Sequence, residues 1–271
     1  MSYALIDSGH QEKLEQFGEF SLVRPSAQAL WAPSLPKDEW KHADAFFTRL
    51  GGNQWVKKST MPESWTAEIE GLVFKISPTD FGHLGVFPEH SVLWCEMERA
   101  IKSRPGANVL NLFAYSGGAT LAAARSGARV CHLDASKAMV AWARENAELN
   151  KLEKAPIRWI VDDVMKFLMR EKKRGVRYDG IILDPPSFGR GNQGEIFKIE
   201  RDILPLLQAC KEVLSEEPLF VIFSTHTPGM SPLVMHHLLA GMLPNGKIET
   251  GEMVLPGKRP LPCGSYARWQ S

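Results

Sequence analysis

A surplus of charge of either sign is missing from this sequence: 32 Lys and Arg stand against 31 Asp and Glu, a formal +1 over 271 residues. Bulk charge therefore announces no nucleic-acid partner, and any basic face must be local. Long apolar runs are missing too, none approaching the ~18 residues of a membrane-spanning helix. The opening MSYALIDSGHQEK lacks the basic-then-apolar order of an export signal. Together these absences predict a cytoplasmic protein without membrane contact. Cysteine is sparse: Cys95, Cys131, Cys210 and Cys263 are scattered, with no C-x-x-C pair. Such spacing suits reduced thiols, and neither a disulfide framework nor a metal site is expected. Internal repeats and low-complexity tracts are absent as well.

What is present is ordinary globular composition, 44% hydrophobic and 23% charged, enough for one large domain and a smaller one. Residues 1–84 hold short β-like pieces broken by Pro and Gly: YALIDSG, EFSLVRP and the hairpin-like TAEIEGLVFKI. Trp31, Trp40, Trp55 and Trp65 all fall here, as a compact core or as a stacking surface. Core is favoured, because large aromatics fill a small domain efficiently. From about residue 85 the texture becomes strand, Gly-containing turn, helix, repeated. NVLNLF (108–113), ARVCHLD (128–134), IRWIVD (157–162), YDGIILD (178–184) and LFVIFST (219–225) read as strands. Between them lie helices. GGATLAAARSG stops at Gly127, and KAMVAWARENAELN has Ser136 as N-cap with Met139, Trp142, Ala143 and Ala147 on one face. VMKFLMREKKRG follows, then IERDILPLLQACKEVLS with Pro205 inside it. GKIETGEMV and SYARWQ are expected to form an antiparallel edge pair. This alternation predicts an α/β fold, a largely parallel Rossmann-like sheet over 85–271, preceded by a β-rich domain over 1–84.

In such sheets ligands sit beyond the carboxyl ends of the strands, so the residues ending each strand are the informative ones. The first strand runs into FAYSGGAT, where Gly117 and Gly118 let the backbone approach a ligand that a β-carbon would exclude. The second ends at Asp134, placed to accept from two ribose hydroxyls. The third ends at Asp162-Asp163, where a carboxylate can accept from an adenine amino group while Val164 supplies a backbone N–H. The fourth ends at Asp184. Singly, a Gly-Gly turn is mostly just a turn and an acid after a strand a helix cap. Their joint order describes a nucleoside-containing cofactor. The first turn reads Y-S-G-G-A-T rather than G-x-G-x-x-G, which argues against a nicotinamide dehydrogenase.

These segments resemble the class I S-adenosylmethionine-dependent methyltransferases. VLNLFAYSGGATLAAARSGA looks like their first motif, VCHLDASKAMVAWARENAELN their second, and IVDDVMKF with IILDPPSFGRG their third and fourth. F-A-Y-S-G-G with D-P-P-x-F is similar, more narrowly, to the branch containing cytosine-C5 methyltransferases of large-subunit ribosomal RNA. The resemblance covers about residues 82–271 and implies a seven-stranded sheet with S-adenosyl-L-methionine as cofactor. It implies that Asp134 and Ala135 hold the ribose. Asp162, Asp163 and Val164 would hold the adenine, and Ala114, Tyr115, Ser116 and Gly117 the methionine side. Asp184 would lie near the sulfonium and the acceptor. GHLGVFPEHS resembles the segment crossing the cofactor mouth, placing Phe87 and His90 there. Where the family often has Asp-Gln-Arg, this chain reads Glu89-His90-Ser91, and a surface turn with Ser91 capping a helix is the competing reading.

The run IILDPPSFGRG ends a buried strand in a charge and two donor-free residues. Pro185 and Pro186 fix φ and hold the following carbonyls toward an incoming acceptor, while Phe188 is placed to stack on a planar one. Methylation at C5 of a pyrimidine requires a thiolate to add at C6, and the resembling branch carries that thiol after the fifth strand. This chain has Ser224, Thr225, His226 and Thr227 there. Cys263 is the remaining candidate thiol, and an inert buried cysteine is the competing reading. Acceptors needing no covalent activation fit better, with Asp184, Pro185 and Pro186 aligning the acceptor and His226 as base, substrate contact or structural histidine. REKKRGVRYDG (170–180) reads either as a solvated helix end or, with GRGNQ (189–193) and GKRP (257–260), as a phosphate rim. A methyltransferase acting on RNA is the leading expectation. A small-molecule or protein methyltransferase and a non-catalytic cofactor-binding protein are the rivals. Monomer and homodimer stay open.

Overall fold

The computed structural model describes residues 2–58, 60–191 and 194–271. The chain divides into two units: Met1–Ser91 with Val254–Cys263, and Val92–Met253 with Gly264–Ser271.

In the first unit β1 (Tyr3–Gly9), β2 (Glu12–Phe17) and β3 (Phe20–Pro25) form a meander. A short helix, α1 (Lys37–Lys41), leads to β4 (Ala45–Thr48), which pairs parallel with β3, and then to β5 (Gln54–Lys57). β6 (Trp65–Ile69) and β7 (Leu72–Ile76) make the hairpin read in TAEIEGLVFKI. Its turn residues Glu70 and Gly71 both take positive φ, 47° and 73°, as a tight hairpin turn demands. The four tryptophans are structural. Each indole N–H ties distant segments together: Trp31 to Ser8 O at 2.9 Å, Trp55 to Thr79 O at 2.8 Å, Trp65 to Phe17 O at 2.8 Å, and buried Trp40 to Asp7 Oδ2 at 3.2 Å. The rings fill space while the one polar edge finds an acceptor.

A 3-10 turn over Pro88–Leu93 precedes the second unit. There α2 (Trp94–Ser103) starts at Leu93 without a side-chain cap, so the helix-capping role considered for Ser91 is not found. The βα units follow in the expected order: β8 (Asn108–Leu112), α3 (Gly118–Arg125), β9 (Arg129–Asp134), α4 (Lys137–Leu149), β10 (Ile157–Val161), α5 (Val164–Lys173) and β11 (Gly180–Leu183). A small hairpin, β12 (Phe188–Arg190) and β13 (Ile196–Lys198), precedes α6 (Ile199–Lys211), β14 (Phe220–Thr225) and α7 (Pro232–Met242). β15 (Lys247–Leu255) and β16 (Leu261–Gln270) complete the chain, their outer ends belonging to the first unit.

The seven-stranded sheet has the order β10-β9-β8-β11-β14-β16-β15, parallel from β10 to β14, with β16 antiparallel to β14. SYARWQ is thus inserted between β14 and β15, which is the edge. The central strands are mostly apolar because helices cover both faces: β11 reads Gly-Ile-Ile-Leu, all buried. In α4, Ser136 accepts from Met139 N, as a cap should. The buried stripe, however, is Val140, Ala143, Asn146 and Ala147, with Met139 and Trp142 only half-buried beside it. No helix among the described residues is long and apolar enough to cross a membrane.

Candidate functional site

The chain builds β8, β9 and β10 outward in one direction, then returns to lay β11 and β14 on the other side of β8. In sheets with such a reversal, ligands bind beyond the carboxyl ends of the strands that flank it, here β8 and β11. Every strand-end residue singled out in the second unit borders that edge.

The loop after β8 is strained. Phe113 and Tyr115 take positive φ, 55° and 51°, and Gly117 takes 92°. Non-glycine residues persist in this region only where surroundings over-determine them. Here Ala114 N bonds Leu133 O at 3.0 Å, Tyr115 N bonds Asp134 Oδ2 at 2.9 Å, and Gly117 N bonds Ala114 O at 3.0 Å. Buried Ser116 offers its carbonyl to Asn146 Nδ2 at 2.9 Å. A β-carbon on Gly117 would stand 3.1 Å from Ala143 Cβ, so α4 and the positive φ both favour glycine here. Beneath the loop, Asn111, Thr120 and His132 form a buried chain of hydrogen bonds, each 2.9 Å long. Burial holds the His132 imidazole far below its usual range, down to about 3.

Asp134 ends β9 with both carboxylate oxygens engaged: Oδ2 by Tyr115 N, and Oδ1 by Ser136 N at 2.8 Å. Burial raises its pKa against those two bonds. Each oxygen keeps a second lone pair, the number that two vicinal hydroxyl donors require. Ala135 follows, half-buried. After β10 the two acids divide. Asp162 accepts from Asp163 N at 2.9 Å and pairs with Arg170, a structural commitment. Asp163 caps α5, its Oδ1 accepting Lys166 N at 2.9 Å, and Val164 is buried at the helix start.

Asp184 stands one residue beyond β11, beside the end of β14. The segment occupying the place of the resembling thiol motif binds this turn at three points. Ser224 Oγ donates to Asp184 Oδ1 at 2.9 Å, Thr225 Oγ1 donates to Pro185 O at 3.4 Å, and Thr227 Oγ1 meets Ser187 Oγ at 2.8 Å. Pro185 is buried, and its carbonyl accepts from Thr225. Pro186, Ser187 and Phe188 are exposed. His226 is exposed, its Nδ1 4.0 Å from Asp184 Oδ1.

Phe87 and His90 belong to the first unit, half-buried, with ring centroids 6.0 Å apart. Cys263 lies in the first unit as well, in a cluster with Leu5, Ala29, Leu255 and Leu261. Burial pushes its thiol up to about 12, and pushes Cys210 to about 12 and Cys131 to about 11. None of these three is an activated nucleophile. The basic run 170–177 is largely spent on the fold. Arg170 pairs with Asp162, and Lys172 with Glu212 at 2.9 Å. Fully buried Glu171 accepts from Tyr178 OH at 2.7 Å, from Arg158 and from Arg174. Burial alone would raise the Glu171 carboxyl, but these bonds outweigh it and hold it below the usual range. Of the other basic stretches, Asn192 and Gln193 lie outside the described residues, and Arg259 Nη1 donates to Ala32 O at 2.6 Å.

Sequence reasoning missed Ser187, Ser224, Thr225 and Thr227 as a unit, and the Asn111–Thr120–His132 chain. The signals were there: hydroxyls closing a fully buried strand, and polar residues inside two strands otherwise apolar.

Comparison with known proteins agrees with this geometry. The family profile described as S-adenosylmethionine-dependent methyltransferase matches residues 46–232. The crystal structure of a SAM-dependent methyltransferase from Agrobacterium tumefaciens is 41% identical, covers 100% of this chain and 90% of its own, and superposes with a TM-score of 0.94. The structure of SMU.776 complexed with SAH shares the fold at 22% identity and a TM-score of 0.76, covering 96% of this chain and 71% of its own. Among curated proteins, the ribosomal RNA large subunit methyltransferase K/L of Pseudoalteromonas atlantica is 34% identical over 160 residues, 58% of this chain and 22% of its own length. The protein of that name from Marinobacter nauticus is 31% identical over 182 residues, 66% and 24%. The chain thus spans less than a quarter of the length of these curated relatives. A strained loop buttressed by a half-buried acid, at the switch point of this sheet, and a family match over more than half the chain lead to one identification: the chain belongs to the S-adenosylmethionine-dependent methyltransferases, enzymes that draw their methyl group from that cofactor.

Proposed function

We propose that this chain methylates RNA in the cytoplasm, large-subunit ribosomal RNA by likeness to its curated relatives, at an acceptor that needs no covalent activation. The observation behind the acceptor class is His226, beside Asp184, in the place where cytosine-C5 chemistry would want a thiol. The raised thiols of Cys131, Cys210 and Cys263 support the same reading.

Cofactor binding is assigned to the second unit. Asp134 accepts from the ribose hydroxyls through its remaining lone pairs, with Ala135 beside it. Asp163 and the Val164 N–H face the adenine, and the loop Ala114–Gly117 lies along the methionine side. Asp162, engaged by Arg170, orients Asp163 through its backbone. When bound, the cofactor supplies an electrophilic methyl group on a sulfonium. Asp184, held by Ser224, and the stiff Pro185-Pro186 turn align the acceptor, and alignment is most of what such a transfer needs. Phe188 offers its exposed ring to a planar base of the substrate. An amine or hydroxyl acceptor sheds a proton, which His226 takes, with the neighbouring Asp184 carboxylate steadying the imidazolium.

The test is transfer of tritiated methyl from S-adenosylmethionine into fractionated RNA, protein and small molecules, with mass identification of the product. Label on a nitrogen or hydroxyl oxygen of RNA supports the proposal. Label on a pyrimidine C5, or only on protein or small molecules, overturns it.

A further inference from the structure

The β12–β13 hairpin begins two residues after Pro186 and has two unlike faces. Its register pairs Phe188 with Lys198, Gly189 with Phe197 and Arg190 with Ile196. Strand alternation therefore puts Phe188, Arg190, Ile196 and Lys198 on one side, Gly189 and Phe197 on the other. The second side turns inward: the Phe197 ring packs 5.5 Å from that of Phe113 and joins the core. All four residues of the first side are exposed, Phe188 at 50% and Ile196 at 47%. An apolar pair left in water next to a reactive turn marks a contact surface. The Arg190 guanidinium sits 5.9 Å from the Phe188 ring centroid, within cation–π range, so ring and cation form one platform. No acid shares this side among the described residues, and the hairpin's Glu195 is paired with Lys166.

We propose that this outward side of the hairpin binds a single-stranded RNA segment flanking the acceptor nucleotide. Phe188 and Ile196 offer an apolar seat for a base, and Arg190 and Lys198 neutralise phosphates on either side. Aromatic faces interleaved with cations are how single strands are held without sequence readout. An apolar protein partner would have to desolvate two cations that have no ion-pair partner among the described residues, which is unfavourable. A polyanion gains from both. Continuity with Pro186 means that whatever enters the acceptor turn passes along this side. The inference rests on the RNA reading above and adds where the strand lies.

The experiment measures binding of a labelled, mixed-sequence single-stranded RNA over a range of salt concentrations. Arg190→Ala with Lys198→Ala is expected to weaken binding about tenfold and to flatten the log–log salt slope by about 1.4, two contacts at ~0.7 each. Phe188→Ala is expected to weaken binding about tenfold with an unchanged slope, and Phe188→Trp to restore it. S-adenosylmethionine affinity stays that of the wild type in all three, which shows that each is folded. Wild-type RNA binding with variants indistinguishable from it overturns this inference alone. A wild type that ignores RNA while methylating protein or a small molecule overturns the RNA reading and the inference together.

Discussion

Ser224 Oγ donates to Asp184 Oδ1 across 2.9 Å, joining the ends of two adjacent parallel strands, β14 and β11. The bond is one of three between the two loops. Together they hold the Asp-Pro-Pro turn from both sides, since prolines restrict its backbone and hydroxyls tie Asp184, Pro185 and Ser187. Ser224→Ala removes a hydrogen bond to a charged group, worth about 1.5–3 kcal/mol. The expected result is a kcat lower by about tenfold or more, with S-adenosylmethionine affinity unchanged by calorimetry. An unchanged kcat would mean that Asp184 needs no partner to act.

Asp134→Ala removes the acceptor assigned to the ribose and the prop under Tyr115. S-adenosylmethionine binding should weaken by about 1–3 kcal/mol. Isothermal titration reads this directly, and equal affinity in the variant removes the ribose assignment.

Cys263→Ser tests the thiol alternative. With the thiol raised to about 12, the thiolate is scarce at neutral pH, and the variant should keep near wild-type turnover. A folded but inactive Cys263→Ser protein would revive covalent activation.

His132 links pH to stability. Its folded pKa, about 3, lies below the ordinary histidine value near 6.5. Between the two values the unfolded chain binds the extra proton, so stability falls as pH drops through that window. From pH 7 to pH 4 the loss from this group is roughly 3 kcal/mol. His132→Asn should shrink the difference between urea unfolding free energies at the two pH values by about that amount. An identical pH dependence in the variant would mean that His132 is not the buried titrating group.

The periodic part of the fold was legible in the sequence because βα alternation follows from burial on both faces of a parallel sheet, and glycines and caps punctuate it. Ser136 and Gly127 fall where their chemistry puts them. Strand-end acids were legible as a set. The division of labour among them was not, since the ion pair that engages Asp162 depends on where α5 carries Arg170, eight residues on. The β12–β13 hairpin and α7 escaped because strands of three residues and an apolar helix without clear periodicity leave little pattern. The buried carbonyl of Pro185 depends on Thr225, forty residues away and adjacent only once β14 lies beside β11.

The most direct measurement is a crystal structure of the protein soaked with S-adenosylhomocysteine. It should place the ribose hydroxyls within hydrogen-bond distance of Asp134, the adenine beside Asp163 and Val164, and the sulfur facing Asp184, Pro185 and Pro186. Density for the ligand elsewhere, or none while that site stands open, would contradict the assignment.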